Sequence, residues 1–181
     1  MKPIHLIPLA GADGEPDLGR LEHLAVALAR TFQTPCRIRP AAVDIEFARD
    51  RRREQYYSTA VLQHLERTGD PDVRILGVTG CDLFVPVLTF VFGEAQLSGN
   101  CAIVSTARLA DEFYGLPRRE DLLRERLLKE AGHELGHTFG LRHCPDWRCV
   151  MASTHAVERL DVKTPDFCPR CRKPLSRNGY W

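Results

Sequence analysis

Opposite charges nearly cancel in this sequence: 25 Lys and Arg stand against 24 Asp and Glu, a formal net charge of +1. A chain this neutral offers no field for nucleic acid or an anionic membrane surface. Its densest basic cluster, Arg51-Arg52-Arg53, reads as a solvated helix start. No apolar run is long enough to cross a bilayer. The opening stretch Met1 to Ala10 has one lysine, Pro3 and a histidine within its apolar run, and lacks a small-residue cleavage site. It therefore reads as no targeting signal, and cytoplasmic residence is expected. There is no internal repeat and no low-complexity segment. Cysteines number 7, an odd count that disfavours a disulfide framework. Cys36, Cys81 and Cys101 lie in apolar runs and are expected to be buried core thiols.

What is present is the composition of an ordinary globule, 44% apolar and 27% charged over 181 residues. That length fits one domain, 1–181, able to bury most of its own apolar surface. Pro3 to Leu9 reads as a first strand, bounded by the turn-forming cluster Gly11 to Pro16. Leu21, Leu24, Ala25, Leu28 and Phe32 then repeat at helical spacing, with His23 at an exposed edge. Cys36 to Ala41 is a weaker strand, and Asp44 to Arg53 a loop or helix lead-in. A second helix is predicted from Arg53 to Arg67, stopped by Gly69-Asp70-Pro71, with Tyr56 and Tyr57 read as packing residues.

Val73 to Thr79 is the clearest strand and is expected at the centre of the sheet. Asp82 follows it as a local loop cap. Leu88 to Phe92 and Cys101 to Thr106 are two further strands, joined by Gly93 to Asn100. After the crossover Ala107 to Pro117, Pro117 opens a long helix whose buried stripe is Leu123, Leu127, Leu128, Ala131, Leu135 and Phe139. The predicted class is α/β (α+β): a mixed, mostly parallel twisted sheet of about five strands with helices packed on it. From Cys144 onward the apolar pattern lapses and prolines accumulate, so this part (141–181) needs a staple.

That last helix carries the chemistry. His133-Glu134-Leu135-Gly136-His137-Thr138-Phe139-Gly140-Leu141-Arg142-His143 has the form H-E-x-x-H-x-x-G-x-x-H. Residues four apart on a helix differ by about 40° in azimuth, so His133 and His137 can share one metal. Gly140 can take a left-handed conformation without steric cost, ending the helix and returning His143 as a third ligand. Three neutral imidazoles leave the fourth position of a tetrahedral zinc open, as catalysis requires. Glu134, next to the first ligand, can serve as general base.

Cys144, Cys149 and Met151 follow at once and, after sixteen intervening residues, Cys168-Pro169-Arg170-Cys171 closes the set. The pattern from His133 to Cys171 closely resembles the archaemetzincin family of metallopeptidases. The resemblance implies a metzincin-like fold and a catalytic zinc on His133, His137 and His143 with Glu134 as base. It implies Met151 as the methionine of a turn beneath the metal, and a second, structural zinc on Cys144, Cys149, Cys168 and Cys171. In metzincin-like enzymes the edge strand above the zinc binds substrate, which makes Phe90 to Gln96 the candidate edge here.

A Cys₄ zinc supplies about 10–16 kcal/mol in small zinc modules, enough to staple a weakly packed tail. Because Cys144 adjoins His143, it should also hold the third ligand of the catalytic metal. The expected function is a zinc-dependent metallopeptidase, endopeptidase or aminopeptidase-like, acting on peptide or protein substrates as a monomer with two zinc ions. A zinc-stabilised binding module with little or no turnover is the alternative, and the intact Glu134 argues against it. A nucleic-acid-binding zinc protein is disfavoured by the balanced charge. For oxyanion stabilisation, His155, Arg159 and Tyr114 are unsupported candidates.

Overall fold

In the computed structural model, which describes residues 2–12 and 16–177, the chain runs as a sheet with helices on both faces followed by a cysteine-containing tail. In order, the elements are β1 (Ile4–Ala10), α1 (Leu18–Phe32), β2 (Cys36–Ile38), β3 (Val43–Asp44), β4 (Arg49–Asp50), β5 (Gln55–Tyr57), α2 (Ser58–Thr68), β6 (Arg74–Thr79), β7 (Leu83–Phe84), β8 (Gly93–Ala95) and β9 (Cys101–Ser105). Three helices complete it: α3 (Glu120–Thr138), α4 (Val157–Asp161) and α5 (Pro169–Arg177). The main sheet has the order β2-β1-β6-β9-β8, with β3 also pairing β1. All its pairs are parallel except β8 with β9. The expected mixed, mostly parallel sheet is what forms, with β6 at its middle.

The period-two alternation of the strands decides which face each side chain feeds. Ile4 and Leu6 of β1, Leu76 and Val78 of β6, and Ala102 and Val104 of β9 meet α1 and α3. Leu9, Ile75, Cys101 and Ile103 enter the opposite core with Val61, Leu62 and Leu65 of α2. Buried on both faces, these strands read as continuous apolar runs. α1 starts where the Asp17 carboxylate accepts from Arg20 N–H at 2.7 Å. It docks on α3 through the Arg20–Glu120 ion pair, with N···O distances of 3.0 and 2.9 Å. The Arg20 guanidinium holds the Glu120 carboxyl down at about 2.

Several expectations are corrected. The second helix begins at Ser58, because Gln55–Tyr57, read as its first turn, is drawn into a small second sheet, β4-β5-β7, whose β4 lies in the region read as a loop or helix lead-in. Arg51-Arg52-Arg53 therefore lies in a turn rather than at a helix start. Residues 88–92 are not a strand: the pairing with β9 is taken by Gly93–Ala95, inside the segment read as a connector. α3 opens at Glu120, beyond Pro117, after two short 3₁₀ turns. The tail is more regular than its sequence suggests, since it holds α4 and α5. Cys81 and Cys101 are buried as expected, whereas Cys36 is half-buried. Burial pushes the Cys36 thiol up to about 12.

Among the described residues no helix is long and apolar enough to cross a membrane. Phe32, at the end of α1, is fully buried and stacks on Phe139 at 5.3 Å, with Phe167 edge-on at 5.6 Å. It thus joins the sheet side of the core to the chain after α3 and to the residue before Cys168. Phe32→Ala should lower the unfolding free energy by about 3–5 kcal/mol, measured as a shift in urea midpoint at unchanged slope.

Candidate active site and metal centres

The last two turns of α3 carry His133 and His137 on one face. The helix ends in a Schellman arrangement: Leu141 N–H donates to Gly136 O at 3.1 Å and Gly140 N–H to His137 O at 2.9 Å. Gly140 takes φ +84°, the left-handed conformation its place in the motif predicts. The turn brings His143 to within 5.3 Å of His133 and 5.1 Å of His137, ring centre to ring centre. The Nε2 atoms of His133 and His137 are 3.1 Å apart.

Two backbone carbonyls set the tautomers. His133 Nδ1 lies 2.9 Å from Val150 O and His137 Nδ1 lies 2.7 Å from Leu141 O. A carbonyl only accepts, so each Nδ1 carries the proton and each Nε2 directs a lone pair inward. Burial pushes His133 down to about 3 and lowers His137 and His143, keeping all three imidazoles neutral. Glu134 is buried beside them. Its carboxyl is raised well above the ordinary range by burial, then by the like charges of Glu130 and Glu94, with Lys163 opposing. A carboxylate in that pocket calls for a neighbouring cation.

The donor set fits one. Ligand atoms of His133, His137 and His143 all lie within 4.8 Å of one another. The spacing of 3.1 Å is close to the roughly 3.3 Å between nitrogens on a tetrahedral zinc with bonds of about 2.05 Å. The sulfurs of Cys144, Cys149, Cys168 and Cys171 form a second such group. Cys144 Sγ and Cys168 Sγ are 3.8 Å apart, the separation expected for about 2.3 Å zinc–sulfur bonds at tetrahedral angles. Cys168 N–H donates to Cys149 Sγ at 3.3 Å, a stabilising contact for a thiolate. Cys168 sits on the loop into α5 and Cys171 on its first turn, so the unforeseen helix is what presents the C-x-x-C pair.

Between the two groups lies the turn of Cys149, Val150 and Met151. Cys144 N–H donates to Met151 O at 2.8 Å. Met151 is fully buried under α3. A methyl group on Gly136 would run into its sulfur, so the glycine within H-E-x-x-H is the space the methionine occupies. Beyond the turn, Lys163 is buried, donates to Ala152 O at 2.8 Å and stands 3.8 Å from Glu130 Oε1.

A cleft of about 400 Å³ opens over the histidines. One wall is the segment from Leu88 to Ala95, and the other includes Ser153, Thr154 and His155. The candidate edge from Phe90 to Gln96 thus borders the site through residue 95, with strand geometry only over Gly93–Ala95. β8 ends the sheet. Phe92 O accepts from Ser105 N–H at 2.8 Å and Gln96 N–H donates to Cys101 O at 3.0 Å. By alternation, Gly93 and Ala95 turn their N–H and C=O groups away from β9. Of the oxyanion candidates only His155 borders the cleft. Arg159 lines a neighbouring groove, and Tyr114 O–H donates to Arg108 O at 3.0 Å.

Glu130 and Lys163 were missed in the sequence, whereas Gly93 fell inside the candidate edge without a role of its own. Glu130 had a signal, since it precedes Glu134 by four residues and shares its face. Lys163 had none.

A helix bearing two histidines and a glutamate, a third histidine returned by a glycine turn, and an open sheet edge across a cleft define a zinc metallopeptidase. The chain belongs to peptidase family M54, whose model matches residues 34–177. It is 44% identical to the archaemetzincin of Methanocaldococcus jannaschii over 147 residues, 81% of this chain and 80% of that protein. To the archaemetzincin of Methanopyrus kandleri it is 45% identical over 133 residues, 74% of this chain and 73% of the other. The crystal structure of archaemetzincin from Archaeoglobus fulgidus, complexed with malonate, matches with a TM-score of 0.81 at 36% identity, covering 96% of this chain and 99% of that one. A zinc-dependent peptidase from Methanocorpusculum labreanum matches with a TM-score of 0.85 at 30% identity, over 95% of this chain and 99% of that one. The family assignment disfavours the reading as a binding module without turnover.

Gly93 lies so close to Glu134 that an added Cβ would stand 2.6 Å from Ile103 O and 2.7 Å from Glu134 Cγ. Backbone on one side and a buried carboxylate on the other leave no room. Gly93→Ala should therefore displace the edge or the carboxylate and lower kcat/KM by about a hundredfold, with zinc content unchanged by mass spectrometry. Unchanged turnover would mean that the strand yields without moving Glu134.

Proposed function

We propose that the zinc metallopeptidase site of this chain is held by His133, His137 and His143, with Glu134 as the group that moves the proton. A zinc ion bound there supplies a Lewis acid for the scissile carbonyl and lowers the pKa of an attacking water. The single observation that carries the reading is the convergence of three imidazoles, the tautomers of His133 and His137 fixed by Val150 O and Leu141 O, beside a buried Glu134. Glu134 takes a proton from water on the metal-facing side of the cleft and returns it to the leaving amine. Burial first, then Glu130 and Glu94, raise the proton affinity of that carboxylate, while Lys163 tempers them.

The substrate lies extended along β8 and adds to the sheet as a further strand, using the outward N–H and C=O groups of Gly93 and Ala95. Backbone pairing of this kind is indifferent to side chains, so it aligns the scissile bond without selecting sequence. Cys144, Cys149, Cys168 and Cys171 hold a second, structural zinc, bringing the complement to two. Met151 packs beneath the histidines and Gly140 turns the chain into His143. Both donor sets are complete within one chain, so neither site needs a residue from a second copy, and 1–181 is read as a single metallopeptidase domain acting as a monomer. Four unpaired cysteines in one cluster support a reducing compartment, the cytoplasm.

The test is digestion of a diverse peptide library by zinc-loaded protein, read by mass spectrometry, with Glu134→Ala alongside. Cleavage is expected from the wild type and a loss of at least about a hundredfold from the variant, both carrying about two zinc ions per chain. Equal cleavage by the two proteins would overturn the role given to Glu134.

A further inference from the structure

Backbone pairing along β8 leaves open what selects the side chain beside the scissile bond. The rim of the cleft at residues 88–92 contains no regular strand beyond a bridge from Val91 to Leu83. Irregular rims are ordinarily mobile. This one is clamped from behind by two arginines. Arg53 Nη2 donates to Leu88 O and Thr89 O, both at 3.1 Å. Gln55 Nε2 donates to Thr89 O at 3.0 Å and to the Asp82 carboxylate at 2.8 Å.

The second arginine, Arg108, lies in the 3₁₀ turn just after β9. It makes two parallel bonds to Asp82, each 2.8 Å. Asp82, read from sequence as a loop cap, is therefore the anchor of a guanidinium. The charge centre of that guanidinium stands 4.2 Å from the ring centre of Phe90 and 4.6 Å from that of Phe113. Phe90 in turn meets Phe92 edge to face at 5.2 Å. Phe90 and Phe92 border the cleft, whereas Arg108 does not. The ring of Phe90 is thus fixed by a bidentate, stacked cation on its outer side and by a buried aromatic on its flank. Lysine could not reproduce this, because it lacks both the fork and the flat face. A rigid aromatic surface beside a catalytic centre favours an apolar partner over a polar one.

We infer that Phe90 is the wall of a subsite for a large apolar side chain, such as Leu, Met or Phe, next to the scissile bond, and that Arg108 with Asp82 positions it. The inference rests on the extended-substrate reading above. Phe90 meets the substrate and determines specificity. Arg108 is a positioning residue that acts through the ring.

The experiment compares zinc-loaded wild type, Phe90→Ala, Arg108→Met and Arg108→Lys on the peptide library and on one apolar peptide. The wild type should enrich large apolar residues at one position flanking the cut, and Phe90→Ala should lose that enrichment. Arg108→Met should broaden the same position, raising KM for the apolar peptide about tenfold with kcat within about twofold. Arg108→Lys should restore only part of the loss. Zinc content should not change. Retained enrichment in Phe90→Ala, or wild-type KM and profile in Arg108→Met, would overturn the proposal. So would loss of zinc or a matching fall in kcat in Arg108→Met, which would mark a structural role. A binding arm separates this proposal from the peptidase reading. In the Glu134→Ala background, anisotropy of a labelled apolar peptide and of its serine-substituted counterpart should differ by about tenfold in Kd, and Phe90→Ala should abolish the difference. Equal affinities before the Phe90 change would overturn the subsite whether or not the wild type cleaves.

Discussion

Two of the three imidazoles owe their positions to helical spacing, and the third has no such support. His143 lies outside α3, three residues past Gly140, and is largely exposed. Its placement depends on the turn at Gly140 on one side and on Cys144 on the other. Cys144 is held by its N–H bond to Met151 O and by its approach to Cys168 Sγ. The turn of Met151 supplies Val150 O, which sets the tautomer of His133. Histidines, methionine and cysteines are therefore one mechanical unit. On the proposed reading, the second zinc closes it.

The unit needs a firm underside, and buried cations provide it. Arg126 on α3 is nearly inaccessible and is met by Asp161 at 2.6 and 2.7 Å, by Asp111 at 2.8 Å and by Leu109 O at 2.7 Å. Lys129 reaches Leu160 O at 3.3 Å and Asp161 O at 3.2 Å. Lys163 holds Ala152 O and stands beside Glu130. A helix as short as α4, five residues, cannot persist alone. Here it is fastened to α3 by cations whose burial would be costly without these partners. The same fastening carries the residues after Met151 to the wall of the cleft, so the geometry of the pocket follows from charges that never reach solvent.

Much of this was legible in advance. The strands buried on both faces announced themselves as apolar runs, and α1 by its three-four spacing. The two candidate metal-binding groups were readable because ligand spacing is a local property: two histidines a turn apart, a glycine, and paired cysteines. What escaped was set by distance in space. The strand β8 is Gly-Glu-Ala, with no β-forming residue, and exists because β9 offers it an edge and Gly93 must clear Glu134. Gln55–Tyr57 carries helix-compatible residues but is captured by β7. Arg126 and Lys129 look like the solvent side of α3 and are buried by α4, a helix with too little sequence pattern to be foreseen. Asp82 could be seen as the anchor of a guanidinium only once Arg108, 26 residues away, lay beside it.

The central claim is that the cysteine cluster and the histidine cluster stand or fall together. The direct measurement is zinc stoichiometry of Cys168→Ala after passage over a chelating resin, by inductively coupled plasma mass spectrometry, beside wild type treated identically. The account predicts about two zinc ions for the wild type and close to none for the variant, because loss of the staple frees His143. A variant that keeps one zinc, still bound by the histidines, would contradict it.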